Sequence, residues 1–421
     1  MSQKKFLKGA FILTIGGILV RIFGFFFRII LKNRIGTANV GIYEMIMPVF
    51  ALCFATAVAG FEVTVTRFAK SGKNSIIASC FIISFILSIT MTTIVYAGAP
   101  FIATYIFHNE LCTRPVQLLS LSLPFSCVHS LAASYFIGRE KTGFPVLSQL
   151  AEQIVRIAAI FVITAKNPTP SAAVLSLVLG EFFSAGLSVF YISGKKALFS
   201  PALKNNIKPI CSMVLPIASN RILLHILQIA EASLIPMMLQ IYGYSRGNSL
   251  EIYGIIMGMA IPVILFPAAL TNSVAQLLIP NVSCNEKNPA TLKKISGRAF
   301  YFSIIFGGLC IFFYITIGNR IVCRIFNEPS LKYYVTCLSF ISPFIFLSST
   351  YKSMLHAVGR TMTVLAGSML SELINIFFIV FFIPKIGINA FLLGMVISQC
   401  IYATCNMINF NRYIIKINTP E

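Results

Sequence analysis

Ten ionisable side chains lie within long apolar stretches of this sequence, and their types indicate ligand binding rather than catalysis. A charge at the centre of a lipid bilayer costs about 2.5 to 3.5 kcal/mol on insertion scales, so a retained charge faces a cavity or a partner. The positions therefore predict a polar pathway within apolar helices. They are Arg21, Arg28, Glu44, Glu62, Glu152, Arg156, Glu181, Arg221, Glu231 and Glu372.

Two of these residues, Arg21 and Arg28, have the spacing of a phosphate clamp. They are seven residues apart, which places them on one helix face about 10 Å apart along the axis. A guanidinium binds phosphate through two parallel hydrogen bonds, so the pair could hold a pyrophosphate. The alternative is that Arg28 reaches the outer interface, or that both arginines neutralise glutamates of the second apolar stretch.

The most polar helix face belongs to the seventh apolar stretch. Arg221, His225 and Gln228 follow each other at i, i+4 and i+7 and so share one face. Packing between helices would need only one or two such residues, which favours a water-filled, substrate-binding cavity over a packed interface. We interpret Glu62, Glu231 and Glu372 as cavity carboxylates or as ligands of a monovalent coupling cation.

Glu152 and Arg156 are four residues apart, and this spacing predicts a structural ion pair within one helix. Glu372, the counterpart of Glu152 in the second half of the chain, has Ile376 four residues later and so lacks this partner. His129 is isolated on an apolar stretch. We expect it to be hydrogen-bonded within the core rather than to act as a ligand.

Several enzyme classes are excluded by composition. All twelve acidic residues are Glu, which excludes sites that require Asp, such as EF-hand loops, Ser-His-Asp triads and aspartyl-phosphate pumps. The sequence contains no phosphate-binding glycine loop. Its eleven cysteines form no CxxC pair. The sequence therefore predicts a protein that is not an enzyme and that has no cofactor, no metal and no disulfide framework.

The rest of the composition indicates that most of this chain lies in a lipid bilayer. Of its 421 residues 57% are hydrophobic and only 11% are charged, and the mean hydropathy is +0.86. Soluble domains carry about a quarter charged residues, so the chain is predicted to be a polytopic membrane protein. The net charge of +21 comes from small, scattered groups of Lys and Arg, which argues against nucleic acid as a partner.

Twelve stretches are apolar over the roughly 20 residues that a membrane helix requires. The predicted fold class is therefore all-α, with twelve transmembrane helices. The stretches cover residues 11–31, 42–68, 75–98, 115–136, 144–164, 170–193, 207–240, 251–282, 297–318, 331–357, 362–383 and 387–410.

The loops between these stretches predict the orientation of the chain. Lys and Arg near span ends are retained on the cytoplasmic side. The two termini and the loops on their side carry 20 basic residues, and the opposite loops carry nine. Both termini are therefore predicted to be cytoplasmic, in agreement with the even number of spans.

The two halves of the sequence resemble each other. Short matches recur in the same order, among them Pro124-Phe125 with Pro343-Phe344 and Gly138-Arg139 with Gly359-Arg360, at offsets of 219 and 221. Six spans per half is an even number, so the halves are predicted to be parallel six-helix lobes, residues 1–197 and 198–421. We expect a substrate site between the lobes and transport by alternating access.

At this point specific segments resemble a known family. Residues 20–29 (VRIFGFFFRI) and 148–157 (SQLAEQIVRI), with Gly41-Ile42-Tyr43, Phe266-Pro267 and Leu278-Ile279-Pro280, are similar to the stage V sporulation protein B family. That family is part of the multidrug/oligosaccharidyl-lipid/polysaccharide (MOP) exporter superfamily. The resemblance covers nearly the whole chain and is most specific around the first and fifth spans.

This resemblance implies a flippase of the bacterial plasma membrane that moves sugars linked to undecaprenyl pyrophosphate outward. Membrane lipid would be a second partner, and Arg21 and Arg28 match the family's cationic cavity positions. Two departures favour an alternative, a multidrug-extrusion-type antiporter of organic cations. Many relatives have fourteen spans where this chain has twelve, and its cavity candidates include as many Glu as Arg. The sequence leaves the sugar and the energy source open.

Overall fold

The computed structural model describes the backbone of residues 3–193, 203–286 and 288–418. Side chains are described over the same ranges, except for residues 3–11, 203–205, 269–270, 273–274, 276–277 and 418. This part of the chain is helical and contains no strand. The all-α prediction is therefore confirmed.

The described residues form one short 3₁₀ turn, Glu110–Cys112, and fifteen longer helices. In order they are α1 Gln3–Ile35, α2 Thr37–Ser71, α3 Asn74–Ile106, α4 Thr113–Ser120, α5 Leu123–Gly138, α6 Gly143–Ile163, α7 Pro170–Ser193, α8 Leu203–Tyr242, α9 Arg246–Leu265, α10 Ala268–Cys284, α11 Pro289–Phe326, α12 Leu331–Ser339, α13 Ser342–Ala357, α14 Thr361–Ile386 and α15 Asn389–Asn418.

Ten of the described helices are long and apolar enough to cross a membrane, and two bent pairs bring the number to twelve. The first pair, residues 110–120 with α5, bends by 43°, and the second, α12 with α13, bends by 49°. Both bends precede a proline at the start of the second helix, Pro124 or Pro343. Proline has no N–H to donate and its ring clashes with the preceding turn, so the helix breaks there.

One predicted span differs from the structure. The sequence suggests a single stretch over residues 251–282, but α9 ends at Leu265 and α10 begins at Ala268. The break falls at Phe266-Pro267, where the proline again removes a helical hydrogen bond. Only α9 is long and apolar enough to be a candidate membrane span.

The chain divides into two compact units, Met1–Ser233 and Leu234–Glu421. Helix α8 contains the division and contributes residues to both units. The predicted boundary between residues 197 and 198 lies outside the described residues.

The two units repeat the same order of elements. Each contains a bent helix pair followed by a long helical hairpin, α6 with α7 in the first unit and α14 with α15 in the second. Helices α4 and α12 begin 218 residues apart, α5 and α13 begin 219 apart, and α6 and α14 begin 218 apart. These offsets lie within three residues of the 219 and 221 found in the sequence, so the predicted internal duplication is confirmed.

In the described residues, single π-helical turns interrupt three long helices at residues 55–59, 256–260 and 314–318, and a fourth ends α3 at residues 102–106. A π turn inserts an additional residue and rotates the side chains that follow it. In α2 this turn ends at Ala59, immediately before Gly60. Its first residue, Ala55, lines the cavity described below. Such turns are frequent at functional sites.

Close helix packing holds the second unit together. A β-carbon built on Gly307 of α11 would lie 2.5 Å from the Cα atom of Pro343 on α13. That separation is far below van der Waals contact, so only glycine allows these two backbones to approach. Its neighbour Gly308 faces open space, with no other group within 4 Å among the described residues.

These two glycines give a matched test of the packing. We expect Gly307→Ala to force α11 and α13 apart and to cost about 1–3 kcal/mol, the range for overpacked cores. The melting temperature of the purified protein in detergent should fall. Gly308→Ala should leave it unchanged or raise it slightly, because alanine has the higher helix propensity. Equal melting temperatures of the two variants would contradict the packing assigned to Gly307.

Candidate functional site

A cavity of about 440 Å³ lies within the first unit, and its walls come from six helices. Helices α1 and α2 contribute mostly apolar side chains, whereas α5, α6, α7 and α8 contribute polar and charged ones. The polar lining residues are His129, Ser130, Gln149, Glu152, Gln153, Glu181, Arg221 and His225.

Helix α6 presents a continuous polar face to this cavity. Gln149, Glu152 and Gln153 all line it, and their spacing of three and four residues places them on one side of the helix. Apart from Ser148 and Arg156, the other side chains of α6 are apolar. The helix can therefore sit in a membrane on one face and line an aqueous space with the other.

Three side chains from three different helices converge on one wall. The Nδ1 atom of His129 on α5 lies 3.7 Å from an oxygen of Glu152 on α6 and 3.6 Å from an oxygen of Glu181 on α7. Their ligand atoms all lie within 4.8 Å of one another. All three side chains are largely buried, with 7%, 10% and 13% of their side-chain surface exposed.

A hydrogen bond at its Nε2 atom fixes the orientation of the His129 ring. Its Nε2 atom lies 3.1 Å from the hydroxyl of Ser148, and that hydroxyl donates to the carbonyl of Pro145. A serine hydroxyl has one hydrogen, so Ser148 must accept from Nε2–H. The remaining ring nitrogen, Nδ1, is the one that faces the two carboxylates. The expectation that His129 is hydrogen-bonded within the core thus describes only half of its environment.

Glu152 is also held by the arginine one helical turn later. Arg156 donates to the Oε1 atom of Glu152 at 2.7 Å, and its guanidinium lies 5.5 Å from the centre of the Phe27 ring. Gly180 on α7 makes this arrangement possible, because a β-carbon there would lie 3.1 Å from the Glu152 carbonyl. Helices α6 and α7 therefore approach closely beside the ion pair.

Helix α8 contributes a positive charge to the cavity, opposite in sign to the glutamates of α6 and α7. Arg221 is exposed into it, and His225 hydrogen-bonds to Gln228 at 2.9 Å through Nδ1. Glu62 on α2 lies within electrostatic reach of Arg221 and of the Ser130 hydroxyl. The cavity is thus lined by charges of both signs and can bind an anion and a cation at separate places.

The arginines of α1 have different environments. Arg28 pairs with Glu44 of α2 at 2.5 Å, which is one of the alternatives that the sequence left open. Arg21 is exposed. Neither residue belongs to the lining of the cavity in the first unit. A pyrophosphate clamp made by both residues would require the pair between Arg28 and Glu44 to open.

The structure thus brings together some of the predicted site residues and separates others. Glu152, Arg221 and His225 line one cavity, with Gln228 bonded behind His225. Glu231 is buried on α8 away from the lining, and Glu372 belongs to the second unit. The predicted site residues do not include Gln149 or Gln153, whereas Glu181 is predicted only as one of the ten intramembrane charges and His129 only as a core residue. The polar spacing along α6 was a usable signal for the two glutamines.

Comparison with known proteins places this architecture among transporters. Residues 6–269 match the model of the family described as "Polysaccharide biosynthesis protein". Stage V sporulation protein B of Bacillus subtilis is 23% identical over 96% of this chain and 84% of its own length. Lipid II flippase MurJ of the same organism is 28% identical over 39% of this chain and 32% of its own length.

A solved structure shares the fold over almost the whole chain. It is the inward-facing conformation of a multidrug resistance MATE family transporter of the MOP superfamily. The two superpose with a TM-score of 0.75, at 15% sequence identity, over 95% of each chain. At this identity the likeness establishes the fold and not the substrate.

The buried ion pair between Glu152 and Arg156 can be tested by mutation. Arg156→Met should destabilise the protein by about 3 kcal/mol or more, because Glu152 would keep a buried charge without its partner. Adding Glu152→Met should recover part of this loss, because both charges are then removed. Thermal unfolding in detergent measures the two variants, and Glu152→Met alone completes the cycle. Additive losses would show that the two residues are not energetically coupled.

Proposed function

This chain belongs to the polysaccharide biosynthesis protein family, and we propose that it is a flippase for a lipid-linked oligosaccharide or a cell-wall precursor. The family and the fold make it a multi-pass membrane transporter of the MOP type. The substrate class is our inference. It draws on the family description and on the printed name of the lipid II flippase that part of this chain resembles.

The observation that supports this proposal most is the cavity of the first unit. Its volume of about 440 Å³ is within the range of small-ligand sites, which is about 300–1,000 Å³. Arg221 offers a planar donor array for a phosphate group, and Gln149, Gln153 and His225 offer hydrogen bonds suited to sugar hydroxyls. A polar lipid headgroup could be held there while its hydrocarbon chain stays in the bilayer.

The proposed setting is the bacterial plasma membrane, with both termini in the cytoplasm. The excess of Lys and Arg on one set of loops supports this orientation. Transport would proceed by alternating access of two similar six-helix repeats. Glu62, Glu231 and Glu372 are our candidates for the carboxylates that couple a monovalent cation to this motion.

A second candidate function follows from the carboxylates of the cavity. Glu62, Glu152 and Glu181 lie in or near its wall, whereas Arg221 is the exposed cation there. Carboxylates attract organic cations, and a multidrug-extrusion-type antiporter would use them in that way. In this case Glu62→Gln should abolish dye efflux.

The flippase proposal is tested by exposure of lipid-linked precursor on the outer leaflet of cells depleted of their own flippases. We expect the wild-type protein to restore exposure. Arg221→Ala should reduce it roughly ten- to a hundredfold, because a hydrogen bond to a charged group is worth about 1.5–3 kcal/mol. The matched control is Arg114→Ala, an exposed arginine outside the cavity lining, which should behave as wild type.

Further variants locate the headgroup site and distinguish the flippase from the antiporter. If the variant Arg21→Ala/Arg28→Ala no longer exposed the precursor while Arg221→Ala stayed fully active, the headgroup site would lie on α1 instead. The flippase proposal would be refuted if the well-expressed wild type exposed none of the lipid-linked precursors tested and if dye efflux depended on Glu62. This pair of results would favour the antiporter.

A further inference from the structure

We propose that His129, Glu152 and Glu181 form a binding site for a divalent transition metal ion, with Zn²⁺ as the best match. The site lies in the cavity wall where α5, α6 and α7 meet. It does not depend on the proposed function, because it is argued from the donor atoms alone.

The separations between the donor atoms fit a shared ion better than direct hydrogen bonds. The His129 nitrogen lies 3.7 and 3.6 Å from the two carboxylate oxygens, whereas hydrogen bonds of this kind are about 2.7–3.2 Å long. Two ligands bound about 2.1 Å from one tetrahedral ion lie about 3.4 Å apart. The two separations from His129 are thus within about 0.3 Å of those at a tetrahedral ion, and the carboxylate oxygens of Glu152 and Glu181, which lie within 4.8 Å of each other, would move together to complete the site.

The orientation of His129 suits metal binding. Ser148 accepts the hydrogen of Nε2 because its own hydroxyl donates to Pro145, which leaves Nδ1 as the nitrogen that faces the two carboxylate oxygens. A bound ion would take the place of a proton on Nδ1. A histidine ligand whose second nitrogen is held by a neighbouring acceptor is the common arrangement at zinc sites.

An unpartnered oxygen within the cluster supports the same assignment. The Oε2 atom of Glu181 is buried and has no hydrogen-bond partner among the described residues. A buried polar atom without a partner is costly, and a bound ion would satisfy it. Gln153 lines the same cavity, is only 8% exposed, and its Oε1 atom also has no partner in the described part of the chain.

Three protein donors leave one open position at such an ion. Arg156 donates to the Oε1 atom of Glu152, so the Oε2 atom that lies near His129 remains available as a ligand. Three protein ligands leave the fourth tetrahedral position empty, as in zinc sites that bind a further ligand. All three donors line the cavity, so that position can accept water or an oxygen atom of a cavity ligand.

The imidazole donor separates this site from one for a hard cation. Na⁺ and Mg²⁺ prefer oxygen ligands, whereas a nitrogen with two carboxylates suits zinc and its neighbours in the first transition row. The ion would join three helices of the first unit and so stabilise that unit by mass action.

The experiment measures Zn²⁺ bound to the purified full chain in detergent, by equilibrium dialysis and elemental analysis. We expect about one equivalent per chain in addition to any adventitious ions, with a rise in melting temperature. His129→Ala and Glu181→Gln should lose both effects. Ser148→Ala should weaken binding about ten- to a hundredfold, the range for removing such a supporting hydrogen bond.

Two controls keep the result interpretable. Cys211→Ser/Cys284→Ser removes exposed thiols that could bind Zn²⁺ and should retain the equivalent. Size-exclusion profiles and melting temperatures without metal show that the ligand variants are folded. Equal binding by wild type and folded His129→Ala or Glu181→Gln would overturn the proposal. So would an equal rise in melting temperature with Na⁺ or Mg²⁺ in place of Zn²⁺.

Discussion

The cost of holding charge inside apolar helices is the constraint on which the rest of this structure depends. An unpaired ion within a bilayer is unfavourable by several kcal/mol, so each intramembrane charge must meet a partner or face a polar space. In the first unit the structure meets this requirement in two ways. Arg28 with Glu44, and Glu152 with Arg156, form close pairs, while Arg221 opens into a polar cavity.

Helix packing is arranged around these charges. Gly180 lets α7 approach the backbone of α6 next to Glu152, and the polar face of α6 then points into the cavity. Ser148, on the same helix, orients His129 of α5. The apolar side chains of these helices are left to face lipid or the packed core. The cavity chemistry is therefore a product of close helix contacts rather than of any one polar segment.

Much of the fold could be predicted because its signals are local. Apolar length gives the number of spans, and prolines such as Pro124 and Pro343 mark the bends. A near-constant offset between the halves gives the repeat. The spacing of Arg221 and His225 places them on one face, and both line the cavity. The pair formed by Glu152 and Arg156 is local in the same way, because one helical turn separates its partners.

The sequence by itself therefore determined the membrane class, all but one of the spans, the internal repeat and the helix faces, because all of these follow from periodicity along the chain. Only the tertiary structure decided which faces meet. His129, Glu152 and Glu181 are 23 and 29 residues apart in sequence and have no common spacing. They form a cluster solely because α5, α6 and α7 pack together. Contacts between helices depend on packing, and no single-helix pattern encodes them.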